Sequence, residues 1–161
     1  MPRPSRASLW TALFLTAAAA AAPSAFAAPA CLDDNGQDVG INNDDIVNWE
    51  GSTRVNFSAR GHIQGQLTEV LPDLSGHKHF NVQVGDSEDQ VVEVIYEQQY
   101  GRLPTLQVGM SVEACGDYIT VKPHSSGTTG YAHGILHWVH ASDNDSHPDG
   151  YVAIDGTVYG Q

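Results

Sequence analysis

The sequence predicts an all-β domain built as a small barrel, and three observations carry that reading. Apolar and polar residues alternate from Arg54 to Gln66, with Val55, Phe57, Ala59, Gly61, Ile63, Gly65 and Leu67 on one face, which is the period of a half-buried strand. Two glycines, Gly61 and Gly65, fall on that inward face and let the strand coil sharply, as a strand shared by both halves of a small barrel must. Further β-rich segments follow at short intervals, with no helix-period run, heptad or internal repeat.

Taken in order, the first thirty residues hold Arg3 and Arg6, an apolar run beginning at Leu9, and small residues ending in Ala25-Phe26-Ala27. This pattern predicts a secretory signal peptide over residues 1–27, and no stretch reaches the roughly 20 apolar residues of a membrane span. Residues 28–53 form an acidic arm, CLDDNGQDVGINNDD and its surroundings, with one helical turn capped by Asn43 or Asp44 and Trp49 as its packing anchor. Residues 54–161 form the domain proper. After the first strand, Pro72-Asp73 and Ser75-Gly76 turn the chain into HKHFNVQVG, where Phe80, Val82 and Val84 point in and His79, Asn81 and Gln83 point out. QVVEVIYEQ is a third strand, and YGRLPTLQVGM is a connector too short for a long helix. SVEACGDYITV, entered through Val108-Gly109, is a fourth strand with a bulge or close backbone approach at Gly116. HGILHWVH is a fifth, and YVAIDGTVYG is a hairpin about Asp155-Gly156, a dipeptide suited to a type I′ turn. Five strands, the first long and bent by glycine, predict a small five-stranded OB-like barrel with a C-terminal hairpin and an N-terminal arm; a small β-sandwich is the alternative.

Charge narrows the partners. Removing the signal segment leaves five Lys and Arg against nineteen Asp and Glu, a net charge of −14 with neutral histidines. Such a surface repels phosphate backbones, which argues against non-specific nucleic-acid binding and favours cationic partners or metal ions. A small ligand or another exported protein remains open as partner, and a monomer in the periplasm or outside the cell is expected. Cys31 and Cys115 are the only cysteines, so export predicts one disulfide that pins the arm to the domain.

The richest stretch in side chains that bind metals or move protons is HWVHASDNDSHPDG, residues 137–150. On an uninterrupted fifth strand His133 and His137 share one face while Trp138 and His140 share the other, so His137 and His140 converge only if the strand ends between them. The candidate metal ligands are His137, His140 and His147, with Asp143 and Asp145 supplying oxygens, and the candidate ions are zinc, manganese or calcium. An EF-hand is excluded because Gly156 stands where its bidentate glutamate would be. A second polar cluster is expected from His62, His77 and His79 on the outward faces of the first two strands. No G-x-S-x-G elbow or glycine-rich phosphate loop occurs, so enzyme chemistry, if any, is a metal-dependent hydrolase of phosphodiesterase type rather than a serine hydrolase. A protein-interaction module is the remaining alternative.

Together, His137-Trp138-x-His140 and His147-Pro148-x-Gly150-Tyr151 resemble the C-terminal motif of a family of small exported bacterial proteins catalogued as a domain of unknown function. His77-x-x-Phe80 and the segment from Val108-Gly109 to Gly116-Asp117-Tyr118 resemble two further motifs of that family, and the likeness covers roughly residues 54 to 159. The resemblance implies a compact exported β domain and weight on His137, Trp138, His140 and His147. Ala141-Ser142-Asp143 departs from the family, whose members carry another histidine and an Asp-Pro there.

Overall fold

The computed structural model describes residues 27–121, 133–144 and 146–161. The expected signal segment, apart from Ala27, lies outside the described residues, as do His124 and Asp145. Helix α1 spans Asn43–Ser52, and seven strands follow: β1 (Ser58–Val70), β2 (His77–Gln83), β3 (Val91–Glu97), β4 (Ser111–Thr120), β5 (Gly134–His137), β6 (Tyr151–Ile154) and β7 (Thr157–Tyr159).

The first five strands close into a barrel in the order β1-β2-β3-β5-β4, and β4 returns to β1. Closure excludes the sandwich alternative. β1 is shared: Gln66 to Val70 pair with β2, whereas Ser58 to Gln66 pair with β4. The two inward glycines permit this bend. A Cβ on Gly65 would collide with the Gln83 carbonyl, and one on Gly61 would sit 2.7 Å from Leu136. β5 runs parallel to β3 and antiparallel to β4, which places it as the stave between them. β6 and β7 form the C-terminal hairpin outside the barrel, on the half of β4 that β5 leaves free. Asp155 and Gly156 both have positive φ, 47° and 80°, as a type I′ turn requires.

Inward side chains fill the barrel: Ile63, Leu67, Phe80, Val82, Val92, Val94, Tyr96, Tyr118 and Leu136 are all fully buried. Each buried aliphatic or aromatic side chain contributes about 1.5–3 kcal/mol relative to exposure. Trp49 lies 5.3 Å from Phe57 and 5.5 Å from Tyr118, so it packs the helix on the core as expected.

Two details differ from the sequence reading. The arm carries a ten-residue helix instead of one turn, and its N-cap is Asn42, which makes no side-chain cap bond. Asn42 is otherwise engaged: its Oδ1 accepts the His62 N–H at 2.8 Å and its Nδ2 donates to the Arg60 carbonyl at 3.2 Å. Asn43 treats Gln64 in the same way, so two side-chain amides satisfy backbone groups of β1 that have no strand partner. The fifth strand stops at His137 instead of continuing to His140, and Trp138 turns the chain with φ +50°. At Gly116 the register with β1 is unbroken, and its missing side chain makes room for the His137 carbonyl.

The Cys31–Cys115 disulfide joins the arm to β4 across 84 residues, with both cysteines buried against Tyr151.

Candidate functional site

Because β5 ends between them, His137 and His140 come to one side of the barrel, and the loop after Ala141 brings His147 back beside them. Gly150 makes this return possible. A Cβ there would collide with the Trp138 carbonyl and come within 2.5 Å of the Cys115 carbonyl, and the Gly150 N–H donates to the His140 carbonyl at 2.8 Å. Gly160 closes the other side, its carbonyl accepting the Ala141 N–H at 2.6 Å.

The result is a row of rings. His79 and His77 are 6.4 Å apart between ring centres, His77 and His137 6.1 Å, His137 and Trp138 4.4 Å, Trp138 and His147 5.8 Å, and His147 and His140 5.3 Å. Tyr100, from the turn after β3, stacks on His140 at 3.7 Å with the rings 8° from parallel. The two histidine clusters expected from the sequence therefore form one row, minus His62, in which His79 and His140 are buried.

Four imidazoles in the row are held through Nδ1. His140 donates to the Ala141 carbonyl at 2.7 Å, His147 to the Pro148 carbonyl at 2.8 Å, and His77 to the Ser75 carbonyl at 3.2 Å. His79 meets the fully buried Glu93 carboxylate at 2.6 Å. An Nδ1 that faces an oxygen acceptor carries the proton, which leaves Nε2 of a neutral ring as a lone pair. His137 differs: burial, and then the neighbouring His77 and His140, push its pKa from 6.5 down to about 4.

The other candidates are dispersed. Asp143 accepts a hydrogen bond from the Tyr100 hydroxyl instead of facing a histidine pair, and this contact holds the phenol above its usual pKa. His137 lies beside His77 and Trp138. Among the described residues no three His, Cys, Asp or Glu side chains converge on a point that could hold one metal ion, so His137, His140, His147 and Asp143 do not form the single ligand set expected. Asp145 lies outside the described residues.

His62 also departs from expectation. It does point outward from β1, but the outer face there is covered by the hairpin, which arrives from almost ninety residues away, leaving His62 7 % exposed. Its Nε2 sits 3.0 Å from Glu113 and 2.9 Å from the Tyr151 hydroxyl, which itself donates to Glu113 at 2.6 Å. Nearby, Arg60 pairs with Asp117 at 2.8 Å, donates to Cys115 Sγ at 3.1 Å and to the Asp149 carbonyl, and so ties β4, the disulfide and the His147 loop together.

Sequence reasoning missed Tyr100 and Glu93. Nothing in YGRLP marks Tyr100 as a stacking partner. Glu93 was detectable, since a lone carboxylate inside VVEVIY on a strand buried along nearly its whole length needs a partner. Beside the row, the arm and the loop border an open groove of about 480 Å³ to which His147 contributes a wall. The chain matches no family model, no curated protein and no solved structure.

Proposed function

We propose that the protein is an exported β-barrel binding domain whose imidazole row takes a divalent transition-metal ion, with His140 and His147 as the fixed donors. The observation that carries this reading is the Nδ1 pattern: both rings donate Nδ1–H to backbone carbonyls and keep Nε2 available. Metal-binding histidines are oriented in this way by their surroundings, and the His79–Glu93 pair repeats the carboxylate–histidine form of the device. Two imidazoles on one tetrahedral ion, bound at about 2.1 Å, hold their ring centres about 5 Å apart. His140 and His147 stand at 5.3 Å. Nitrogen donors favour zinc over calcium, which takes oxygen ligands. The remaining positions would fall to water, a ligand or a residue of the loop.

Export is supported by the N-terminal segment and by the disulfide, and the HWxH and HPxG motifs support kinship with the small exported proteins they resemble. The test is thermal unfolding in chelator and then with zinc, manganese or calcium. A metal at a hundred times its dissociation constant adds about 2.7 kcal/mol of stability, a rise of several degrees. Loss of that rise in His140→Ala and His147→Ala, each measured against its own metal-free midpoint, is the expected outcome; His140→Ala also lowers that midpoint, because the buried ring stacks on Tyr100. A rise that survives both substitutions defeats the assignment. A second reading, a metal-dependent hydrolase, is favoured by the groove that opens at His147 and leaves room for a substrate; zinc-dependent cleavage of an activated phosphodiester would support it.

A further inference from the structure

We infer that His77 and His137 form a second metal site, separate from His140 and His147, and that it takes monovalent copper in two-coordinate form. His77 opens β2 and His137 closes β5, the two strands that flank β3. The closed barrel sets their ring centres 6.1 Å apart, with the planes tilted by 46°.

Both rings are half-buried, and both have a nitrogen to give. His77 donates its Nδ1 proton to the Ser75 carbonyl at 3.2 Å, which leaves the Nε2 lone pair of the neutral ring. Among the described residues, neither nitrogen of His137 makes a hydrogen bond; its neighbours are the rings of His77 and Trp138. Polar groups drawn out of water normally find a partner, and an imidazole without one keeps its lone pair for an ion.

The spacing selects the ion. Two imidazoles bound at about 2 Å on opposite sides of a linear ion hold their ring centres about 6 Å apart, against about 5 Å on a tetrahedral one. His77 and His137 match the linear case, and His140 and His147, at 5.3 Å, the tetrahedral. Among the described residues no third His, Cys, Asp or Glu converges on the pair. His79, 6.4 Å from His77, is buried and engaged with Glu93 at 2.6 Å. Zinc held there would lack two of its four ligands, whereas copper(I), a closed-shell ion that imidazole suits, is satisfied by two.

The test is competition for copper(I) between the oxidised protein and bicinchoninate, a chelator coloured by that ion, in oxygen-free buffer with ascorbate. The wild-type protein and His147→Ala are expected to withdraw copper(I) from the dye with equal affinity. His77→Gln and His137→Gln should each weaken that affinity at least about a hundredfold, because losing a ligand costs more than the roughly 10–100-fold of losing a residue that orients one. His77 packs outside the core cluster, so His77→Gln is decisive even if His137→Gln fails to fold. No copper(I) uptake, uptake that survives His77→Gln, or uptake lost in His147→Ala overturns the proposal. The zinc-induced rise in unfolding midpoint should persist in His77→Gln, so this site and the His140–His147 site stand or fail separately.

Discussion

Replacing both cysteines, Cys31→Ala with Cys115→Ala, should remove about 4.5 kcal/mol of stability. The bridge spans 84 residues. In the chain-entropy relation, that loop length corresponds to about 15 cal/mol/K of lost freedom in the unfolded chain, or about 4.5 kcal/mol at 25 °C. Domains of this size commonly have about 5–15 kcal/mol in all, so the variant stays folded but with a large part of its margin gone. Urea unfolding of the oxidised protein and the variant, followed by tryptophan fluorescence, checks the figure. The midpoint should fall, and the slope should stay equal or rise because the uncrosslinked chain exposes more surface. The arm should also loosen in the native state, since the Val39 N–H bond to the Cys31 carbonyl and the Arg60 contact with Cys115 both depend on the bridge. A loss below about 2 kcal/mol refutes the reasoning: the unfolded chain would then be confined already, or native strain would cancel the gain.

Other expectations follow from the same geometry. Gly150→Ala should cost about 1–3 kcal/mol in thermal unfolding, because its Cβ collides with the Trp138 and Cys115 carbonyls, and should weaken zinc binding by displacing His147 from His140. Gly51→Ala, in α1 with open space around it, should stabilise by about 0.5–1 kcal/mol in the same assay. For His137 the folded pKa is about 4 against 6.5 for the free side chain, so between these values the unfolded chain holds a proton that the folded one lacks. Its contribution is present above pH 6.5 and is lost as pH falls through 4, at no more than about 1.4 kcal/mol per pH unit; metal-free unfolding of His137→Gln across this range should show a shallower decline.

The alternation from Arg54 to Gln66 placed β1 and its inward residues because a half-buried strand leaves a period of two in the chain itself. Gly61 and Gly65 signalled the bend for the same local reason, and Asp155-Gly156 signalled its turn. The site was less accessible. His137 and His140 meet only because Trp138 takes a left-handed backbone, a conformation uncommon for a bulky residue and unmarked by its neighbours in sequence. His62 reads as a solvated outward histidine until the hairpin covers it. Glu113 and Tyr151, its partners, lie 51 and 89 residues further along the chain. Stacking of Tyr100 on His140 likewise joins two loops whose proximity is a property of the closed barrel.

β5 has a consequence for how the chain folds. The first three strands are a meander that forms from neighbouring segments, but the ring is complete only when four residues, Gly134–His137, slot between β3 and β4. Until then β3 and β4 each present an unpaired edge, the surface on which partly folded chains join one another. A short stave that arrives late and must pair on both sides carries a high loop-closure cost, which places barrel closure among the slow events of folding. The histidine row is assembled at that same moment, so a chain that has not closed its barrel cannot display it.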